Sequence, residues 1–495
     1  MKKQFLLLVS CLMFAFNAMA VGVSEVSGKF KGTLTIEDLD QQGEVLIIPG
    51  VESNTISLVL PDFEFNSLPL GNIVVLNVPM ANDGKISLDK YPVYIKVLET
   101  RAFVNINTGS KLTADKVLLS LTINVPVLNQ DMSVSFVGNR LSGNYQMPNA
   151  GFETGWKSVG KGTEPEGWHG FNSGTGTLIS AAQNADQLQE SSDVRPGSKG
   201  TKSALIQSKK LFNVRANGPL TNGQMNAASI TAGEASKNYA FSDPDNAGFN
   251  TPFKAQPDSF VFWAKYVPGG GTVTDPSNTA RMHAVITTNA RYQDPETADY
   301  SKVKVAEAES DFQATSSKGW QRISVPFVYS TKVSTDDAAY IMITFTTNKT
   351  AGGGKSDDTP DKLYLDDIEL VYNASLKSFT LENEAIVFSN GKATTDKEFS
   401  DENYELNAIV EGRTAKAFVG FDSKNHRILI YVVSDNFVAN SSDYKVYEVE
   451  MAQTTTGFQT IEAESIKTKK VMLNGQVYIS RGGQFFNLLG QPVKL

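Results

Sequence analysis

The sequence predicts an all-β protein made of several domains. Helical periodicity is scarce, whereas short runs rich in β-branched and aromatic residues recur between Gly, Asn and Asp turns. The 495 residues are too many for one hydrophobic core, and we expect about three or four domains. The predicted order is a barrel, a large β-sandwich, a smaller β-sandwich and a short β tail.

Residues 1–20, MKKQFLLLVSCLMFAFNAMA, are typical of a secretory signal peptide. Two lysines precede an apolar run, and Ala18 and Ala20 form an Ala-x-Ala cleavage pattern. We therefore expect an exported chain that starts at Val21. An alternative places Cys11 in a lipobox, LVSC, although the apolar run continues past it. Because Cys11 is the only cysteine, the mature chain would lack disulfides, thiolate nucleophiles and sulfur-ligated metals.

The charge of the chain is acidic. Removing Lys2 and Lys3 with the signal peptide leaves 43 basic and 53 acidic residues, a formal net charge of −10. This balance disfavours nucleic acid and anionic lipid as partners. No later apolar run is long enough to predict a membrane-spanning helix.

The first domain is predicted over residues 21–145. In GKFKGTLTIED, Phe30, Leu34 and Ile36 alternate with polar residues, which indicates an antiparallel strand with one solvated face. The motifs G-x-x-x-G-x-L, D-F, G-N-I and V-x-F-x-G follow in order between residues 28 and 138. Together they resemble the calycin-like, lipocalin-related domains of secreted bacterial proteins. The resemblance implies a small barrel whose interior holds a ligand or is filled by side chains.

The second domain is predicted over residues 146–373, from PNAGFETGW to LYLDDIELVY. Its middle, about 180–255, is poor in large apolar residues and is expected to form long ordered loops over a β scaffold. In the last strand, period-two alternation places Leu363, Leu365 and Asp367 on one face. It places Ile368 and Leu370 on the other face, together with the carboxylate of Asp366.

The remaining chain is predicted to hold an immunoglobulin-like β-sandwich over 374–452 and a tail over 453–495. The end of the tail resembles C-terminal segments of surface and secreted proteins of diderm bacteria, some of which are sorting signals. This implies a location in the periplasm, on the outer surface or outside the cell.

The two ends of the second domain, NAGFE and LYLDDIELVY, resemble the jelly-roll carbohydrate-binding modules of the galactose-binding-like class. That resemblance implies a structural calcium held by Glu153 and Asp366, with Gly151 as a carbonyl donor. Two carboxylates, carbonyls and waters satisfy calcium chemically. In the alternative, Asp366 accepts hydrogen bonds from backbone amides or from a Lys or Arg, without a metal.

A longer stretch, about 149–452, resembles the PCMD family, a carbohydrate-metabolism domain of secreted proteins from glycan-foraging bacteria. The resemblance rests on NGPLTNGQMNAAS, AGFNTPFKAQPDSFVFWAKYVPG, GWQRISVPFVY and YVVSDNFVANSSDYKVYEVEM, in that order. It implies a jelly roll followed by an immunoglobulin-like domain and a role in glycan handling. It implies no catalytic residue.

The residues themselves predict no catalytic site either. The three histidines, His169, His283 and His426, stand in no H-x-x-H, H-E-x-x-H or G-x-S-x-G pattern. A glycosidase needs only two carboxylates, and the pairs Glu164/Glu166 and Asp357/Asp358 resemble ordinary solvated charge. The sequence thus neither supports nor excludes a glycosidase.

Sugar binding requires aromatic faces beside amides and carboxylates, and the second domain supplies both. All four tryptophans lie in it, and Trp263 and Trp320 stand in predicted strands as core residues. The residues predicted to bind carbohydrate lie in Gly-rich loops and are Trp156, Trp168, His169, Phe171 and Asn172. The alternative is that these rings pack against the domain's own loops.

Three functions remain open at this point. The first is an exported, non-catalytic protein that binds or presents glycans, with the immunoglobulin-like domain as a spacer. The second is a glycoside hydrolase or other carbohydrate-active enzyme with a carboxylate pair in the jelly roll. The third is a structural adhesin or surface assembly component. A polar groove favours the first two, and convergent carboxylates separate the second from the first.

Overall fold

The fold is all-β, which confirms the predicted class. The computed structural model describes residues 21–65, 68–211, 214–352, 359–400, 404–438, 440, 443–452, 468–473, 476–481, 484–487 and 491–493. The predicted signal peptide lies outside the described residues. The described helices are short: α1 Val23–Val26, α2 Ile179–Ala182 and the 3-10 turns Lys96–Leu98, Pro126–Leu128, Thr335–Asp337 and Asp435–Val438. No helix in this part of the chain is long and apolar enough to cross a membrane.

The first unit is a nearly closed barrel. Its strands are β1 Gly28–Ile36, β2 Leu39–Pro49, β3 Thr55–Phe65, β4 Leu68–Pro79, β5 Leu88–Ile95, β6 Thr100–Ile106, β7 Lys111–Leu112, β8 Lys116–Val125 and β9 Gln130–Arg140. They pair antiparallel in the order β4-β3-β2-β1-β9-β8-β6-β5, with β7 beside β8. The two end strands, β4 and β5, also contact each other.

Alternation along the barrel strands fills its interior with apolar side chains. In β1 the predicted inward residues Phe30, Leu34 and Ile36 are all buried, because one face of the strand meets the core and the other meets water. They join one cluster with Phe63 and Phe136. The interior is therefore a packed core along these strands.

The second unit is a two-layer β-sandwich. Its strands are β10 Lys157–Val159, β11 Gly162–Glu164, β12 Leu188–Ser191, β13 Ser203–Gln207, β14 Lys209–Leu211, β15 Val214–Ala216, β16 Pro219–Thr221, β17 Gln224–Ala227, β18 Asn238–Phe241, β19 Ser259–Val267, β20 Ala280–Thr287, β21 Gln293–Asp294, β22 Lys304–Phe312, β23 Gln321–Pro326, β24 Val328–Tyr329, β25 Tyr340–Thr346 and β26 Lys362–Val371. One five-stranded sheet has the order β12-β13-β26-β19-β23 and the other has β16-β25-β20-β22-β24. Their facing side chains form the main core.

The alternation predicted for the last strand of the second unit is wrong, because β26 contains a β-bulge. Asp367 has a positive φ of 41°, and the pairing with β19 shifts register beside it, between Val261 and Trp263. The extra residue changes the phase of the strand. As a result the apolar residues on both sides of the bulge face the same core: Leu363, Leu365, Ile368 and Leu370.

The third unit packs directly on the barrel. Its strands are β27 Ser375–Leu381, β28 Glu384–Ala385, β29 Lys392–Glu398, β30 Leu406–Glu411, β31 Lys416–Asp422, β32 Arg427–Val433 and β33 Tyr444–Ala452. They form two sheets, β28-β27-β30 and β29-β33-β32-β31. Leu429 and Tyr431 of β32 share an apolar cluster with barrel residues Leu46 and Leu76. The third unit is therefore in buried contact with the barrel and does not stand apart from it as a spacer would.

The C-terminal segment packs against the barrel. Strands β34 Thr468–Leu473, β35 Gln476–Arg481, β36 Gln484–Phe486 and β37 Pro492–Val493 form a small sheet. Phe485, 3% exposed, joins the barrel core, and Val471 and Tyr478 pack against it. Sorting by this tail stays a prediction, but its described strands have a structural role.

Candidate functional site

A small sheet covers the outward face of one large sheet in the second unit. Along β25, Ile343 and Phe345 face the main core, so Thr344 and Thr346 point to the opposite side. Strands β17, β18 and β21 pair with one another across that side, and we call them the flap. Flap and sheet share an apolar cluster: Met225, Ala240, Val285, Tyr292 and Met342.

A cleft of about 190 Å³ opens between the flap and the sheet. Its walls are mainly apolar and include the exposed Ile230, 65% accessible, at the surface. The larger apolar side chains are Phe171, Leu178, Pro219, Met225, Ile230 and Tyr239. Eight alanines complete these walls: Ala181, Ala182, Ala216, Ala227, Ala232, Ala235, Ala240 and Ala351. We call this space the flap cleft.

Two lining residues of the flap cleft each carry a polar atom without a hydrogen-bond partner among the described residues. The hydroxyl of Thr344 is buried, with the residue 4% exposed, and no described residue pairs with it. Oδ1 of Asn217 is likewise buried and unpaired, although its Nδ2 donates to the Asn348 carbonyl at 2.7 Å. Such groups cost about 1–3 kcal/mol each unless a partner is supplied. Because both atoms are closed to solvent, a ligand reaches them only when neighbouring side chains move aside, and its hydrogen bonds would then remove that cost.

A buried ion pair holds one end of the flap cleft. Arg281 on β20 donates to both oxygens of Asp294 on β21, at 2.8 and 3.0 Å. Its Nε also donates to Glu309 at 2.7 Å. Burial disfavours the charged form of Asp294, but hydrogen bonds from His283 and Arg281 outweigh it and hold the pKa of Asp294 well below its usual value. The pair therefore links the flap to the sheet.

His283 extends this network under the flap. Its Nδ1 lies 3.3 Å from Asp294 Oδ1, and its Nε2 lies 3.6 Å from Glu307 Oε2. Burial lowers the pKa of His283, but the two carboxylates outweigh burial and raise it. The contact with His283, supported by Lys304, lowers the pKa of Glu307 to about 2. The lowered pKa values of Asp294 and Glu307 keep both carboxylates ionised at neutral pH, so neither can serve as the proton donor of a reaction.

The lining residues of the flap cleft hold no acid–base pair in the described part of the chain. Asp294 is the one carboxylate among them. It is committed to Arg281, and its lowered pKa keeps it ionised. Glycoside hydrolysis needs one protonated and one ionised carboxyl, about 5 to 10 Å apart. Asp357 and Asp358 lie outside the described residues.

The tryptophans predicted as sugar platforms pack within the unit. Trp168 is fully buried in the main core, with its ring 5.3 Å from that of Phe152. Its Nε1 donates to the Pro148 carbonyl. Trp156 is half-buried against the same core and donates to the Phe152 carbonyl at 2.7 Å. Because its ring is enclosed, Trp168 cannot stack on a sugar in this conformation.

The other three predicted residues separate in the structure. His169 contacts Glu164 through Nδ1 at 3.2 Å and the Gly248 carbonyl through Nε2 at 2.9 Å, so both ring nitrogens are occupied. Asn172 is buried and donates to the Asn184 carbonyl. Phe171 alone of the five lies in the flap cleft.

Sequence reasoning missed most of the flap cleft. Its lining comes largely from residues 216–240, ANGPLTNGQMNAASITAGEASKNYA, which were expected only to form long loops. The one sequence signal that could have indicated a cleft is the high content of Ala, Gly, Ser and Asn in this stretch. Small side chains on facing strands leave open space between backbones, whereas large ones would fill it.

Two of the predicted calcium residues, Gly151 and Asp366, lie close together where the ends of the second unit meet. A side chain at Gly151 would lie 3.2 Å from Asp367 Oδ1 and 3.9 Å from Asp366 Oδ1. Asp366 accepts hydrogen bonds from the amides of Arg195, at 3.0 Å, and Asp367, at 2.9 Å. Burial raises the pKa of Asp366 to about 6, with a contribution from the charge of Asp367.

These donors fit the hydrogen-bonded alternative better than a cation. Both oxygens of Glu153 accept hydrogen bonds from the backbone of the loop at residues 201–202, at 2.9 to 3.1 Å. No three acidic or histidine side chains converge as a metal site in the described ranges. Calcium therefore stays a prediction that needs its own test.

The pH dependence of stability tests the state of Asp366. The pKa of Asp366 in the folded state is about 6, so from about pH 4 to 6 this carboxyl binds more protons in the folded state than in the unfolded state. The contribution of Asp366 to the free energy of unfolding therefore falls as pH rises through that window. In the presence of a chelator, we compare the free energies of unfolding of the native protein and of Asp366→Asn. Between pH 4 and pH 7 we expect the native protein to lose about 2–3 kcal/mol relative to the variant. Urea unfolding at each pH measures both free energies.

Bound calcium at Asp366 would have the opposite effect and would stabilise the native protein at pH 7. A bound cation lowers the carboxyl pKa, so millimolar calcium should then raise the melting temperature of the native protein at pH 7 and leave that of Asp366→Asn unchanged. Equal responses of the two proteins to calcium and to chelator would exclude Asp366 as a ligand.

Comparisons with known proteins add little to this geometry. No protein family and no curated protein matches the chain. Two structures described as "putative" glycoside hydrolases are similar to it. The one from Bacteroides thetaiotaomicron is 15% identical, with 55% of this chain and 84% of that chain covered and a TM-score of 0.34. The one from Bacteroides vulgatus is 14% identical, with 48% and 91% covered and a TM-score of 0.29.

A third structure is of carbohydrate-binding modules from the β-sandwich superfamily. It is 11% identical, covers 69% of this chain and 97% of its own, and has a TM-score of 0.21. At these identities and TM-scores the likenesses carry no argument about function. A functional argument therefore rests on the flap cleft itself.

Proposed function

We propose that this protein is an exported, non-catalytic carbohydrate-binding protein that holds its ligand in the flap cleft. The observation that carries the proposal is the pair of buried polar atoms, on Thr344 and Asn217, that are unpaired among the described residues and belong to the lining of a mainly apolar cleft. Export rests on the signal-peptide pattern of residues 1–20. Glycan presentation on the cell surface is the role that this combination favours.

A sugar matches both kinds of surface in the flap cleft. Its C–H faces pack on apolar and aromatic groups, which Phe171 and Tyr239 supply. Its hydroxyls pair with the free hydroxyl of Thr344 and with the acceptor on Asn217. A purely apolar ligand would leave these two atoms unpaired, at the cost already described.

The cleft favours binding over hydrolysis and over a purely structural role. Its one described carboxylate is neutralised by Arg281, so an acid–base pair is lacking among the described lining residues. A structural component needs no open cleft with unpaired polar groups, and it would present an apolar patch instead.

Replacing Thr344 with Val tests the proposal. The change keeps the shape of the side chain and removes the free hydroxyl. We expect Thr344→Val to weaken binding of the best glycan about tenfold, the worth of one hydrogen bond of about 1.4 kcal/mol. Isothermal titration of the mature protein against a panel of oligosaccharides measures the affinity.

Thr287→Val is the matched control. Its hydroxyl is also buried and unpaired on the outward face of the same sheet, but it does not line the flap cleft. Binding by Thr287→Val should equal that of the native protein. The proposal fails if no glycan in the panel binds, or if both variants lose affinity equally.

A further inference from the structure

We propose that the flap cleft selects neutral sugars that carry a methyl-bearing substituent, such as the acetamido group of an N-acetylhexosamine or the methyl of a 6-deoxyhexose. This inference rests on the proposed function and narrows its ligand class. Three features of the cleft support it: the alanine wall, the neutralised cations and the unpaired acceptor on Asn217.

The alanine wall offers no hydrogen bonds from its side chains. Ala216, Ala227, Ala232 and Ala235 line the flap cleft, and the side chain of each is a methyl group. A ring hydroxyl buried against them would lose its water and gain no partner from those side chains, which is unfavourable. A methyl group in the same place gains free energy by leaving water. A fully hydroxylated hexose therefore fits this wall poorly, and a methyl-bearing sugar fits it well.

The two cations among the described lining residues of the flap cleft are already paired with carboxylates. Arg281 is paired with Asp294 and Glu309, and Lys349 contacts Asp311. An anionic sugar, such as a uronate or a sulfated residue, would have to compete with these carboxylates for the same donors. The charge pattern thus favours a neutral ligand.

The unpaired atom of Asn217 restricts the chemistry of the ligand. Strand β16 pairs with β25 so that Thr221 lies opposite Thr344, and Gly218 continues the pairing to Thr347. Asn217 precedes Gly218, so its side chain and that of Thr344 lie at different places along the cleft. Oδ1 of Asn217 only accepts, so it needs a donor such as an acetamido N–H.

Matched sugar pairs test the inference, because the members of each pair differ in only one kind of substituent. Di-N-acetylchitobiose replaces two hydroxyls of cellobiose with acetamido groups. Methyl D-fucoside lacks the O6 hydroxyl of methyl D-galactoside. Isothermal titration of the mature protein should show at least about tenfold tighter binding, about 1.4 kcal/mol, for the methyl-bearing member of at least one pair. The pair that responds identifies the substituent.

A variant that fills the wall localises the effect. Ala232 lines the flap cleft and is half-buried, so Ala232→Leu occupies the space assigned to the methyl group. We expect it to reduce affinity for the preferred sugar at least about tenfold. Ala247→Leu, at an exposed position that does not line the cleft, is the control and should bind normally.

The outcomes separate the inference from the function on which it rests. If plain hexoses bind as tightly as their methyl-bearing partners, or if a uronate binds best, the inference is wrong and carbohydrate binding stands. If no sugar binds at all, the proposed function itself fails. If Ala232→Leu binds as well as Ala247→Leu, the wall is not the contact and the inference is wrong.

Discussion

Asp294→Asn should destabilise the second unit by about 3–5 kcal/mol, the usual cost of removing one partner from a buried ion pair. Asp294 is 3% exposed and receives two hydrogen bonds from Arg281. An amide offers one acceptor oxygen without charge. The guanidinium of Arg281 and the ring of His283 would then face each other without the buried carboxylate between them, and only the more exposed Glu309 and Glu307 would balance their charge.

Tryptophan fluorescence during urea unfolding isolates this effect. All four tryptophans lie between residues 156 and 320, in the second unit, so their signal does not report on the barrel. A chain of several units need not unfold in one step, which makes a local probe necessary. The same variant should also weaken glycan binding, because Asp294 lines the flap cleft.

Asp311→Asn is the matched control for Asp294→Asn. Asp311 pairs with Lys349 at the surface, where both side chains are solvated. Exposed pairs contribute about 0–1 kcal/mol, and we expect a change within that range. If the two variants have equal effects, the Arg281–Asp294 pair is screened by water and does not hold the flap.

Phe485→Ala should release the C-terminal sheet from the barrel. Phe485 is buried in the barrel core although it lies about 350 residues beyond the last barrel strand in sequence. Truncating a buried Phe costs about 3–5 kcal/mol. Among the described side chains of that sheet, Val471 and Tyr478 also pack on the core, and both are only partly buried. Opening of the sheet is therefore the expected response.

Hydrogen exchange measures that opening. A loss of about 3 kcal/mol should speed exchange of the amides in β34–β36 about a hundredfold, because local opening then costs that much less. Phe486→Ala is the control, since Phe486 is the next residue and only half-buried. Slow exchange retained in Phe485→Ala would show that the tail does not depend on this contact.

The sequence by itself determined the fold class and much of the strand content. Alternation in β1 correctly assigned Phe30, Leu34 and Ile36 to the interior, because a period of two has only two faces to choose from. The same rule failed at Asp367. A bulge there is a pairing event between β26 and β19, and the sequence of one strand does not specify its partner's register.

Only the tertiary structure decided where the candidate site lies. Trp168 had the right residue type for a sugar platform, but packing against Phe152 enclosed it. The flap cleft instead joins Asn217, Asp294 and Thr344, which are far apart in the chain and meet through antiparallel pairing and a covering flap. Composition and periodicity report which face a residue prefers. Which faces meet, and whether a space remains between them, depends on long-range packing that no local pattern encodes.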